Sequence, residues 1–121
     1  MNFVSIIMGS KSDYEIMKNC ANTLEEFGVQ YELIISSAHR SPQRTKDYIK
    51  AAEEKGSKVF IAAAGMAAHL AGALAATTTK PVIGVPMKGG AMDGMDAMLS
   101  TVQMPSGMPV ATVALGKAGA I

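Results

Sequence analysis

The stretch Ser36-Ser37-Ala38-His39-Arg40-Ser41-Pro42 sets hydroxyls, an imidazole and a guanidinium side by side in one short segment. Imidazole gives and takes protons near neutral pH, the planar guanidinium fork fits phosphate oxygens, and hydroxyls donate to anions. Together these groups suit proton transfer on a phosphorylated ligand. A second cluster, Gly9-Ser10-Lys11-Ser12-Asp13, adds hydroxyls and a carboxylate. A third, Ala64-Gly65-Met66-Ala67-Ala68-His69, adds another imidazole behind a glycine. Each cluster also has a plain structural reading. His39 and Arg40 could be solvated surface groups, Ser10 and Ser37 helix caps, Asp13 a favourable charge at a helix N-terminus, and Gly65 to His69 a tight turn with a part-buried histidine.

Locally the plain reading is the better one for Gly65 to His69 and matches the chemical one for Ser10, Ser37 and Arg40, but the surrounding elements put all three clusters at strand ends. The apolar run Tyr31 to Ile35 leads into the first cluster, and Ser41 as N-cap with Pro42 in the first turn opens a helix behind it. The run Phe3 to Met8 leads into the second, where Ser12 with Glu15 predicts a capping box that starts a helix at Asp13. Val59 to Ala63 leads into the third. In an open α/β sheet ligands bind at the carboxyl ends of the strands, beside helix N–H groups. Ser10, Asp13, Ser37, His39, Arg40 and His69 are therefore expected along one rim.

The rest of the chain keeps the same rhythm. A helix is predicted from Asp13 to Phe27, with Ile16, Met17, Cys20, Leu24 and Phe27 on its inner face and Gly28 at its end. After a strand over Gln30 to Ile35 comes a helix from Pro42 to Glu54 that turns Tyr48, Ala51 and Ala52 inward and stops at Gly56. A short helix, Leu70 to Thr77, precedes a strand from Val82 to Val85. Beyond Pro86, Lys88-Gly89-Gly90 reads as a mobile loop, Met92, Met95, Leu99 and Val102 mark a helix near Gly94 to Thr101, and Ala111 to Ala114 reads as a fifth strand. Alternating strands and helices predict an α/β fold, a doubly wound parallel sheet covered on both faces in a three-layer αβα sandwich.

Composition narrows the function classes. The 121 residues suit one domain over 1–121, enough for one core and too few for two. With 11 Lys plus Arg against 10 Asp plus Glu, no broad field draws nucleic acid or a membrane surface, so phosphate recognition has to be local. The lone Cys20 rules out an intrachain disulfide and fits a reducing compartment, and no apolar stretch approaches the roughly 18 residues of a membrane span, so the cytoplasm is expected. Met92, Met95 and Met98 resemble a thioether array for soft copper, but methionines at helical spacing ordinarily fill a core or an interface. Neither a metal nor a cofactor is expected, since the glycines match no P-loop or dinucleotide fingerprint.

Taken in order, Met8-Gly9-Ser10-Lys11-Ser12-Asp13, Ser37 to Pro42, Ala64 to Leu70, Gly84-Val85-Pro86, Val102 to Val110 and Gly116 to Ala120 resemble the PurE family, the N5-carboxyaminoimidazole ribonucleotide mutases of purine biosynthesis. The resemblance covers essentially the whole chain. It implies a flavodoxin-like strand order and a reaction that moves a carboxylate from the exocyclic amine of an aminoimidazole ribonucleotide to ring carbon C4, without ATP, biotin or metal. It further implies His39 as acid and then base, Ser10, Ser37 and Arg40 on the phosphate, Asp13 on the ribose, and Gly65, Met66, His69 and Leu70 in the loop that holds the migrating carbon dioxide. A homo-octamer with sites at subunit contacts is the quaternary expectation, and small residues with Met-rich helices agree with an assembly. Ala71 stands where many relatives have proline, which is expected to loosen that loop, and the sequence stops at Ile121 where relatives continue into a long helix, which is expected to leave one core face uncovered. Two alternatives compete: an aminoimidazole ribonucleotide carboxylase using free carbon dioxide, from which Ala68-His69-Leu70 looks more distant than from the mutase branch, and a non-catalytic nucleotide-binding module that needs no His39.

Overall fold

A computed structural model describes residues 1–121. Five parallel strands, β1 (Phe3–Met8), β2 (Tyr31–Ile35), β3 (Ser57–Gly65), β4 (Val82–Met87) and β5 (Ala111–Thr112), lie in the order β2-β1-β3-β4-β5. This is the flavodoxin-like order, with the winding reversed between β1 and β3. The inner strands are apolar at nearly every position because both faces are covered. Phe3, Ile7, Phe60, Ala62 and Val82 point one way, packing on Ile49 and Ala52 of helix α2 (Pro42–Lys55) and on Leu70, Ala71 and Leu74 of α3 (Leu70–Ala75). Ile6, Met8, Ala63, Val85 and Met87 point the other way, onto Met17, Cys20 and Ala21 of α1 (Tyr14–Glu26) and Ala120 of α5 (Lys117–Ala120). Helix α4 (Met95–Val102) joins the α2 and α3 layer, where Gly84 lets Thr101 approach: a Cβ there would lie 2.5 Å from Thr101 Cγ2. The result is the expected αβα sandwich.

Several local expectations give way. Helix α1 starts at Tyr14 behind a 3-10 turn over Lys11–Asp13, and the capping side chain is Ser10, whose Oγ accepts from the Ser12 N–H, in place of the Ser12–Glu15 box. Ser41 holds the N-cap position of α2 but its side chain makes no cap hydrogen bond. Phe27, 77% exposed, lies beyond the last turn of α1, and Ala51 is exposed while Ile49 is the buried residue of that turn. Helix α4 starts at Met95, which leaves Met92 in the preceding turn, and its apolar stripe faces outward: Met95, Leu99 and Val102 are exposed, as is Met92, and Ala97 and Thr101 are the residues buried. The fifth strand is two residues long, and β4 runs through Pro86 to Met87, with the Pro86 carbonyl accepting from Gly116 N–H at 2.9 Å.

Candidate active site

The carboxyl ends of β1 to β4 border a cleft of about 800 Å³. Every residue singled out from the sequence lines it: Ser10, Asp13, Ser37, His39 and Arg40 from the first two loops, and Gly65, Met66, His69 and Leu70 from the third. Leu70 differs from the others in that its side chain is also part of the core. The strand order sets their sequence along the rim, with the β2 loop at one side, the β1 loop next, then β3 and β4.

The β2 loop is fixed from below. Ser36 is buried and shares a 2.7 Å hydrogen bond with Thr45 Oγ1 of α2, Arg44 Nη1 donates to the Ile35 carbonyl, and the Arg40 N–H donates to Ser37 Oγ at 3.1 Å. With one lone pair engaged, the Ser37 hydroxyl proton remains available to an anion. Arg40 reaches back over β1, its Nη2 donating to the Gly9 carbonyl at 3.5 Å. In the β1 loop, burial pushes the Asp13 carboxyl above the usual carboxylate range, an effect partly offset by a hydrogen bond with the Ser10 backbone.

The imidazoles of His39 and His69 meet across the rim. His39 Nε2 lies 3.1 Å from His69 Nδ1, with ring centroids 5.2 Å apart and planes at 80°. One of these nitrogens carries the shared proton and the other must be bare to accept it. The pair can therefore pass a proton between the β2 and β3 loops. Met66 adopts φ +52, a strained conformation for a side chain with a Cβ, and the loop is held there by α4. Ala68 N–H donates to Ser100 Oγ at 2.9 Å and the Ala68 carbonyl accepts from Thr101 Oγ1 at 3.4 Å.

Sequence reasoning missed part of the rim. Lys88, Gly89 and Gly90 line the cleft at the end of β4. The strand-then-glycine pattern that marks the other loops is present here too, but a strand that ends at Val85 and a mobile loop over Lys88-Gly89-Gly90 give Lys88 no place on the rim. Ser100 and Thr101 act on the loop from a distance in sequence that no local pattern conveys.

The sequence profile of the AIR carboxylase family matches residues 3–120. The chain belongs to the AIR carboxylase family. It is 60% identical over 115 residues to the N5-carboxyaminoimidazole ribonucleotide mutase of Pyrococcus horikoshii, a match that takes in 95% of this chain and 65% of that one. It is 56% identical over 118 residues to the mutase of the same name from Bacillus subtilis, covering 98% of this chain and 73% of that one. The chain thus spans about two thirds to three quarters of the length of these curated relatives. Among solved structures, Treponema denticola PurE superposes with a TM-score of 0.88 at 30% identity over 99% of this chain and 76% of that one. Family membership and architecture therefore agree.

Proposed function

We propose that this domain is an N5-carboxyaminoimidazole ribonucleotide mutase acting in purine biosynthesis. The observation that carries the reading is the cleft itself, which gathers the His39–His69 pair, one guanidinium, one carboxylate and the hydroxyls of Ser10, Ser12 and Ser37 around a volume that suits a mononucleotide. The 60% identical mutase from Pyrococcus horikoshii supports it. In the proposed course, Arg40, Ser10 and Ser37 hold the phosphate and Asp13 the ribose, while the loop of Gly65, Met66, His69 and Leu70 cradles the reacting carboxyl group. Protonation at the exocyclic nitrogen by His39 accompanies cleavage of the nitrogen–carboxyl bond and frees carbon dioxide. Ring carbon C4 then attacks the carbon dioxide, and His39 takes the C4 proton, which restores both the aromatic ring and the acid form of the imidazole. The chemistry balances without ATP or another co-reactant, and keeping water out retains the carbon dioxide.

The exposed apolar side chains of Met95, Leu99 and Val102 on α4, with Met92 in the turn before it, support a homo-oligomer, with an octamer as the family resemblance implies. A cytoplasmic location accords with that reading; no helix is long and apolar enough to cross a membrane. The test is conversion of N5-carboxyaminoimidazole ribonucleotide to the C4-carboxylated product, without ATP or bicarbonate and followed by ultraviolet absorbance. Turnover above the buffer rate is expected, with a loss of about 10²- to 10⁴-fold in His39→Asn at unchanged thermal stability. The name of the family profile favours a second reading, a carboxylase working on free carbon dioxide. Product formed only from aminoimidazole ribonucleotide plus bicarbonate would select it, and tight ligand binding indifferent to His39→Asn, with no turnover, would select a binding module.

A further inference from the structure

Only two side chains lining the cleft carry a permanent positive charge, Arg40 at the end of β2 and Lys88 at the end of β4. Two strands lie between these ends, so the two cations are carried by loops about 14 Å of sheet apart. The one lining carboxylate, Asp13, sits between them in the β1 loop. Without Lys88 the formal charges of Arg40 and Asp13 cancel, and a ligand with anionic groups at both ends would find a cationic partner for one end only.

Lys88 is unengaged within the protein. The ion pairs are Lys18–Glu15 and Lys55–Glu32, and no side-chain hydrogen bond involves Lys88. Its backbone runs close to Gly94, at φ +96, where a Cβ would stand 3.3 Å from Lys88 Cα and 3.4 Å from its Cγ. The adjoining Gly90, at φ +70, packs on Met66 so closely that a Cβ would lie 3.0 Å from Met66 Cγ. The arm that bears Lys88 is therefore packed against the same β3 loop that carries His69, at the side of the cleft away from Arg40. A cleft-lining lysine with no partner in the protein, on an arm packed against the β3 loop, is placed to meet an anion at that side.

We propose that Lys88 is a specificity-determining residue that pairs with the substrate's carboxylate while Arg40 engages the phosphate. This rests on the mutase reading of the same cleft. The pairing distinguishes carboxylated from decarboxylated ribonucleotide, because only the former places a second anion at the β4 side.

The test is calorimetric titration of wild-type protein, Lys88→Gln and Lys88→Arg with two probes, the C4-carboxylated aminoimidazole ribonucleotide and aminoimidazole ribonucleotide itself. Lys88→Gln is expected to weaken the carboxylated probe about five- to tenfold and to leave the other within about twofold, with Lys88→Arg close to wild type and the gap narrowing at high salt. Equal weakening of both probes would place Lys88 on the phosphate and overturn the proposal. Equal affinities for wild type and Lys88→Gln would also overturn it while leaving the mutase reading intact, whereas wild-type protein that binds neither probe would overturn both. Lys88 is exposed, so loss of the fold does not confound the comparison.

Discussion

Ser100→Ala isolates the link between α4 and the loop after β3. Ser100 Oγ accepts from the Ala68 N–H at 2.9 Å and donates to the Asp96 carbonyl at 2.7 Å, one turn back in its own helix. Ala68 is 2% exposed, so water does not replace the lost acceptor and its N–H is left unpaired at a cost of about 1–3 kcal/mol. Alanine's better helix propensity returns at most about 0.5 kcal/mol. The bond that Thr101 makes to the Ala68 carbonyl survives, which limits the displacement. A net loss of about 1–2 kcal/mol follows, equivalent to a fall in Tm of about 4–8 °C for a chain of this length. The strained Met66, whose carbonyl also lies 3.4 Å from Ser100 Oγ, is then free to relax, and the loop loses its fixed geometry beside His39. Thermal unfolding, amide hydrogen exchange at Ala68 and mutase turnover read the three consequences separately. A melting temperature within 1 °C of wild type together with an Ala68 amide as protected as before would refute the clamp.

Two further outcomes concern charge and pH. Because burial raises the Asp13 carboxyl in the folded state, its ionised form is disfavoured there, and the group's contribution to stability is present at low pH and lost as pH rises through the raised folded value. Asp13→Asn is therefore expected to melt at or above the wild-type temperature at pH 7, with the difference vanishing below about pH 4, while binding of aminoimidazole ribonucleotide weakens about tenfold; a variant less stable at pH 7 would contradict the assignment. Tyr48 is pushed up to about 12, chiefly by burial, with the Glu32 carboxylate that accepts its proton adding to the shift and a hydrogen bond to Ser5 opposing it. The neutral phenol stabilises the fold fully below its ordinary value of about 10, and that contribution is lost as pH rises through about 12. Urea unfolding of Tyr48→Phe should show about 1 kcal/mol less stability at pH 7 and a flatter decline above pH 10, and an unchanged alkaline slope would place the titration elsewhere.

The alternation of apolar runs with capped helices was legible because a parallel strand covered on both faces must be apolar throughout, and a helix must start and stop with recognisable residues. That pattern located the clusters at Ser10, Ser37 and Gly65, and the topology brought all of them to one rim. Boundaries fared worse. The 3-10 turn at Lys11–Asp13 displaced the predicted cap because a serine accepts from whichever N–H its backbone dihedrals present, which composition does not specify. Phe27 and the α4 stripe are exposed because a spacing that fits one helical face does not say which layer, or which neighbouring molecule, that face meets.

The amino-acid sequence by itself determined the class of fold and the residue types available for chemistry, since both follow from local periodicity and from the functional groups each side chain carries. The tertiary structure alone decided that His39 and His69, thirty positions apart, share a 3.1 Å contact, that Lys88 lines the same cleft as Arg40, and that Ser100 and Thr101 hold the Ala68 peptide from another helix. These relations depend on strand order and helix docking, which long-range packing sets and no short window of residues encodes.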